Sequence, residues 1–321
     1  MDRLAIILTV RLGSARLPNK ALADVAGKPL LEWIIKRVQP AGDIILATTD
    51  QVDDQPLVEL GKRVGIPTYT GARDDVIGRM DKALNKYCPT ADYVLRGLGD
   101  MPFLATELVA RAVKTLSTFD GDAFCWHLAP YCWPVYGARE FPYSRSAWSK
   151  IVARSKEREH VDSYFHKHRG NFKVLFHEAP QSVYFRPYRL EVDWAEDLEL
   201  VRSIGYRVGM MASLPSIIHY LDSDTKVAHT NKNRVEQTGP TCYTYEEQRE
   251  WTKHMTGRPV IGWNDDVWVP PSPRAQVVFC ASGECFLGFA EGGILHTKVG
   301  QVQSGRLDCG CGSGLVWNSK R

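Results

Sequence analysis

Arg11, Arg16 and Lys20 follow one another closely, interleaved with Gly13, Ser14 and Ala15. Two forked guanidinium groups and one compact ammonium among small residues suit a polyphosphate. The small residues let the backbone approach a ligand, and their N–H groups can form an anion nest. The stretch is not a Walker A loop, because no Gly-Lys-Ser/Thr opens the next helix, and it is not a G-x-G-x-x-G turn. A solvated basic surface loop is the plainer alternative. Asp100 closes YVLRGLGDMP, where a carboxylate at a strand end is placed to hold Mg²⁺ against phosphate oxygens. The same residue type before Met-Pro also suits an Asx-turn. A second acidic segment, RLEVDWAEDLEL, carries Asp193, Glu196 and Asp197. Glu196 and Asp197 are accounted for by the helix dipole of a first turn, whereas Asp193 precedes that helix as either a cap or a ligand.

The elements around these residues alternate. Ala5–Val10 reads as an apolar strand, and Leu30, Leu31, Ile34, Ile35 and Val38 form one helical stripe behind Pro29, a residue suited to a first turn. Asp43–Thr49, Pro67–Gly71, Tyr93–Leu98, Asp122–Leu128 and Arg189–Asp193 read as strands. Pro56–Val64, Asp75–Tyr87, Thr106–Phe119 (with Thr106 as cap) and Glu196–Ile204 read as helices. The rhythm predicts an α/β sandwich whose sheet is largely parallel, with ligands beyond the carboxyl ends of its strands. Residues 130–180 break the rhythm with an aromatic and proline-rich stretch, read either as an acceptor pocket or as a packed surface loop.

R-x-G-S-x-R-L-P-x-K-x-L followed by G-K-P-L-L resembles the opening signature of the cytidylyltransferase family, which includes spore-coat polysaccharide synthesis proteins and CMP-sugar synthetases. Asn19 stands where the family usually has Gly. The resemblance covers about residues 1–222 and implies a nucleotide-diphospho-sugar transferase-like three-layer sandwich with a mixed sheet. It also implies Mg²⁺-dependent transfer of a nucleoside monophosphate, from CTP, to a sugar or sugar phosphate. Carried over, Arg11, Gly13, Ser14, Arg16 and Lys20 hold the triphosphate, and Asp100 and Asp193 hold the metal. Trp194-Ala195 replace the family's Thr-Pro beside Asp193. GARDDVIGR resembles G-x-x-x-D-V-x-x-R and makes Arg73, Asp75 and Arg79 nucleotide contacts, although a helix start capped by Asp74 or Asp75 reads the same way. Gly137–Phe141 and Arg158–Val161 resemble sugar-side segments, offering Glu140, Arg158, Glu159 and His160, with Ala138 in place of a family Asp.

The rest of the chain has another character. Residues 223–275 read as a linker with a short helix from Thr244 to about His254. Residues 276–321 read as a small β-rich domain with Cys280, Cys285, Cys309 and Cys311. Two close cysteine pairs suit a structural Zn²⁺ site, with His296 as a substitute ligand; reduced thiols packed in strands are the alternative. No family is recognised for this tail. A net charge of +3, with 11 basic and 11 acidic residues from Asp222 onward, offers no footprint for nucleic acid. No apolar run approaches a membrane span, and the N-terminal strand lacks a signal peptide's cleavage site. The expectation is a cytoplasmic enzyme, with a homodimer left open. A glycosyltransferase of the same fold and a non-catalytic adaptor presenting the tail are the competing classes. The triple-cation loop favours a triphosphate user over the first, and the two acids disfavour the second.

Overall fold

The computed structural model describes residues 2–126, 135–138, 140–177 and 188–232, together with six strands between residues 276 and 318. Strand β1 (Leu4–Thr9) is apolar and buried along nearly its whole length, as expected of a strand covered on both faces. A two-stranded hairpin, β2 (Asp24–Val25) and β3 (Lys28–Pro29), precedes helix α1 (Leu30–Val38). There follow β4 (Asp43–Thr49), α2 (Gln55–Val64), β5 (Thr68–Gly71), α3 (Val76–Tyr87), β6 (Tyr93–Leu98), α4 (Thr106–Phe119) and β7 (Ala123–Trp126). Then come β8 (Pro142–Ser144), α5 (Arg145–Arg154), α6 (Ser163–Lys167), β9 (Val174–His177), α7 (Ala195–Arg207), α8 (Leu214–Ser223) and α9 (Thr225–Ala228).

The sheet runs β5-β4-β1-β6-β8-β7-β9. β1 is parallel to β4 and β6, β4 is parallel to β5, and β8 is antiparallel to its neighbours β6 and β7. Register aligns Thr9 with Ala47 on one side and with Leu98 on the other, so these strands end at one level. The chain steps outward from β1 to β4 and β5, then returns past β1 to start β6. That reversal opens a crevice at the carboxyl ends of β1 and β6, which is where the loop after Val10 and the turn holding Asp100 emerge. The expected stripe of α1 is buried in full, and Val76, Ile77, Met80, Ala83 and Leu84 of α3 are buried likewise.

Several local expectations are corrected. Thr106 is the first helical residue of α4, and Ala105 stands at the cap without a side-chain bond. Pro29 ends the hairpin and lies just before α1, because its φ of −54° and ψ of 141° are extended. Arg189–Asp193 is not a strand: a single parallel bridge from Tyr136 to Arg189 is all the pairing it makes among the described residues.

The chain divides into two compact units. The first comprises Met1–Phe124, Tyr136–Leu175 and Tyr188–Arg234, so it runs past Asp222 through α9. The second comprises Cys125–Val135, Phe176–Pro187 and Val235–Arg321. Within it, Gln276–Phe279, Phe286–Glu291, Ile294–Thr297 and Gly300–Val302 form an antiparallel sheet, and Ser304–Leu307 pairs with Leu315–Asn318. Cys280, Cys285, Cys309 and Cys311 lie outside the described residues, as does the expected helix from Thr244.

Candidate active site

The loop leaving β1 is pinned before it reaches the crevice. The Leu12 N–H donates to Asp54 Oδ1 at 2.7 Å, and the buried Asp54 also accepts the Thr49 hydroxyl. The Leu17 N–H donates to Ser14 Oγ at 3.3 Å, and the Asn19 N–H to the Leu12 carbonyl at 3.1 Å. Asn19 sits at φ 60°, ψ 17°, a left-handed conformation that Asn tolerates better than most side chains. This explains why Asn substitutes for Gly here. A Cβ at Gly13 would meet no atom within 4 Å, so the space above the loop is open.

The turn at Asn19 drives Lys20 inward. Its ammonium donates to Asp100 Oδ2 at 2.7 Å, the Val192 carbonyl at 2.9 Å and Asp193 Oδ1 at 3.0 Å. The backbone ties the two acidic segments together, since the Val192 N–H donates to the Asp100 carbonyl at 2.8 Å. Asp193 also receives Arg16 Nη2 on Oδ1 and Arg189 Nη2 on Oδ2, each at 2.7 Å. Arg16 is half-exposed and lies over the Trp194 ring, 5.6 Å from its centroid. Burial alone would lower the Lys20 pKa, but the charges and hydrogen bonds of Asp100 and Asp193 outweigh it and hold the ammonium above its usual range. Burial likewise opposes ionisation of Asp193, and Lys20, Arg16 and Arg189 overcome it, leaving that carboxyl below the ordinary value.

Asp193 is therefore not the cap of α7. Trp194 stands at the N-cap, and Asp197 in the first turn reaches back to it, its Oδ2 accepting the N–H groups of Asp193 at 2.9 Å and Trp194 at 3.0 Å. Asp197 is held in turn by Arg189 Nε at 3.3 Å and by Asn231 Nδ2 at 2.8 Å. Asn231 also donates to the Arg189 carbonyl at 3.0 Å.

Sequence reasoning passed over Glu191. One of its carboxylate oxygens, one of Asp100 and one of Asp193 all lie within 4.8 Å of one another. Burial, then the charges of Asp100 and Asp193, push its pKa up to about 7 against the pull of Arg189 and Tyr136. The available signal was alternation: in an extended R-L-E-V-D, residues 189, 191 and 193 share one face. Asp100 Oδ1 is buried without a hydrogen-bond partner. Three converging hard oxygen donors, one with its lone pairs uncommitted, fit a divalent cation such as Mg²⁺.

The other expected residues sit elsewhere around the crevice. Arg73, Asp75 and Arg158 line a cavity of about 660 Å³ with Asp50, Gln51, Ala72 and Asp74, beyond the ends of β4 and β5. Asp75 caps α3 through the Gly78 N–H at 2.8 Å and accepts Arg158 Nε at 2.8 Å. Arg79 is buried, and its Nη1 donates to the carbonyls of Ala72 and Arg73, so it shapes that loop from behind. Arg11 pairs with Glu159 at 3.1 Å, both half-exposed. His160 is exposed, and its backbone N–H donates to Glu157 at 2.8 Å. Glu140 lies half-buried ahead of β8. Among the described residues, no helix is long and apolar enough to cross a membrane.

The cytidylyltransferase family model matches residues 5–214, a span that contains every residue of this crevice from Arg11 to Asp197. The chain belongs to this family. It is thus a nucleotidyltransferase, and its fold is that of such enzymes. An uncharacterised protein of Methanocaldococcus jannaschii is 28% identical over 71% of this chain and 93% of its own. The spore coat polysaccharide biosynthesis protein SpsF of Bacillus subtilis is 28% identical over 65% of this chain and 89% of its own. A cytidylyltransferase from Leptospira borgpetersenii superposes with a TM-score of 0.64, at 22% identity, over 71% of this chain and 97% of that one. The likeness of that structure supports the fold.

Proposed function

We propose that this cytidylyltransferase-family protein transfers CMP from CTP to a sugar hydroxyl or to a sugar phosphate, releasing pyrophosphate, for glycan or polysaccharide synthesis. The observation that carries the reading is the convergence of Lys20, Asp100 and Asp193 at the carboxyl ends of β1 and β6. Cations for a polyphosphate and carboxylates for a divalent ion meet there in one crevice. Arg11 and Arg16, both substantially exposed, present guanidinium forks to the triphosphate, and the open space over Gly13 admits it. Arg73, Asp75 and Arg158 line the cavity suited to the nucleoside. Glu140, Glu159 and His160 belong to the acceptor side, as the resemblance implies.

Asp100 and Asp193, with Glu191 beside them, would hold Mg²⁺, which supplies charge neutralisation at the phosphate oxygens when bound. The chain's own contribution is positioning and fixed charge, because phosphoryl chemistry of this kind needs no covalent intermediate on the protein. Relatives' names support this reading: SpsF of B. subtilis is a polysaccharide biosynthesis protein. The 3-deoxy-manno-octulosonate cytidylyltransferase of Anaeromyxobacter dehalogenans is 30% identical over 36% of this chain and 48% of its own. A pyrophosphate-release screen of the four nucleoside triphosphates against acidic sugars and sugar phosphates, with and without Mg²⁺, tests it. Turnover confined to CTP and dependent on metal is expected; pyrophosphate release from none of the four, or equal release from all four that is indifferent to metal, overturns it.

A further inference from the structure

Lys20 is positioned in a way that conflicts with its serving only as a phosphate ligand. A lysine ammonium has three donors and no acceptor. All three are committed, to Asp100 Oδ2, the Val192 carbonyl and Asp193 Oδ1, at 2.7, 2.9 and 3.0 Å. The side chain is only 12% exposed. No donor remains for a phosphate oxygen until at least one of these bonds breaks. The same bonds occupy carboxylate oxygens that a divalent cation would need, since Lys20 bridges two of the three acids that converge there.

We propose that Lys20 is the resident counter-ion of the metal site, exchanged for the divalent cation when the triphosphate arrives. This inference rests on the functional reading above and gives it an order of events. An ammonium and a dication competing for the same oxygens repel one another strongly at such distances, even at the effective dielectric of a protein surface. Metal alone therefore meets a site already neutralised. A triphosphate changes the balance, because it gives the released ammonium a new anionic partner a short reach away. Asp193 does not become bare in the exchange, since Arg16 and Arg189 still hold it at 2.7 Å each. Among the described residues Asp100 pairs with no cation besides Lys20, and its buried Oδ1 is free to turn to the metal. Cation and triphosphate thus load cooperatively, and the acids stay neutralised in the empty enzyme.

The test is Mn²⁺ binding by calorimetry or electron paramagnetic resonance, without nucleotide, on the full chain and on Lys20→Met. Removing the competing charge-assisted bonds should tighten Mn²⁺ binding by about tenfold or more, although the same change weakens triphosphate binding. Lys20→Arg, which keeps the charge, should bind Mn²⁺ as weakly as the wild type. Lys20→Gln, neutral and similar in length, should show a gain like that of Lys20→Met and carries the comparison where the apolar variant folds poorly. Melting curves check the fold of each. Neutral variants that bind Mn²⁺ no tighter than wild type overturn the counter-ion role. If the wild type still shows metal-dependent CTP binding, that role alone falls. If neither wild type nor variants bind Mn²⁺ and CTP binding ignores metal, the functional reading falls with it.

Discussion

Lys20 and Asp193 are 173 positions apart in the chain, yet the ammonium of one lies 3.0 Å from the carboxylate of the other. The pairing depends on two separate devices. The left-handed Asn19 turns the first residue inward, and the Val192–Asp100 backbone bond holds the second beside the end of β6. Arg189, buried behind Asp193 and Asp197, pairs with both acids, at 2.7 and 3.3 Å.

Asp100→Asn is expected to retain the fold and lose nearly all turnover. One carboxylate of the proposed metal site disappears, which should cost on the order of several kcal/mol of transition-state stabilisation. Single-turnover rates with saturating CTP, compared with circular dichroism of the same sample, check this. Near-wild-type kinetics in a folded variant would remove Asp100 from the site.

Glu191→Gln addresses the acid that the sequence reading overlooked. If its carboxylate completes the cation's donor set, Mn²⁺ affinity in the presence of CTP should fall by about tenfold or more, as for loss of one charged partner. The melting temperature should change little or rise, because a buried carboxyl crowded by Asp100 and Asp193 is itself costly. Unchanged metal affinity would make Glu191 a bystander.

Gly137→Ala should destabilise the first unit. Gly137 has φ +82°, and a Cβ there would lie 2.4 Å from the backbone nitrogen of Glu191. Left-handed strain and a clash against backbone together should cost at least about 1–3 kcal/mol. Urea denaturation measures it, and an unchanged midpoint would mean that this approach is looser than described.

Asn231→Ala tests whether residues beyond Asp222 belong to the nucleotidyltransferase unit. The buried amide donates to the Arg189 carbonyl and to Asp197 Oδ1. Leaving these acceptors unpaired should cost about 1–3 kcal/mol. A thermal melt identical to wild type would contradict the assignment.

Acid stability should depend on Asp122. Burial raises its pKa, but the Lys173 N–H at 3.0 Å and Lys150 Nζ at 2.9 Å outweigh that and hold it below the ordinary range. A depressed folded-state value contributes stability above the unfolded pKa of about 3.9, and that contribution is lost as pH falls through the folded value. Lys150→Met should therefore be less stable than wild type at pH 6, with the gap closing toward pH 3. A gap that stays constant across this range would show that Lys150 acts through packing alone.

Much of this protein was legible in its sequence because the signals are local. Apolar runs such as LAIILT and the 3.6-residue stripe of Leu30 to Val38 fix strand and helix from neighbours alone, and the spacing of Arg11, Arg16 and Lys20 is the local pattern behind the proposal of a phosphate loop. Asp75 capping α3 belongs to the same class. What the tertiary structure decided is which of these distant charges neutralise one another. No periodicity states that Lys20 meets Asp193, that Asp197 reaches back to the N–H groups of Asp193 and Trp194, or that Glu191 joins Asp100. Those partnerships arise because the crossover from β5 to β6 brings strand ends together at one level, and because Arg189 and Asn231 pack behind them. Electrostatic energy falls with distance in space and is indifferent to distance along the chain, so it becomes specified only once the sheet has formed.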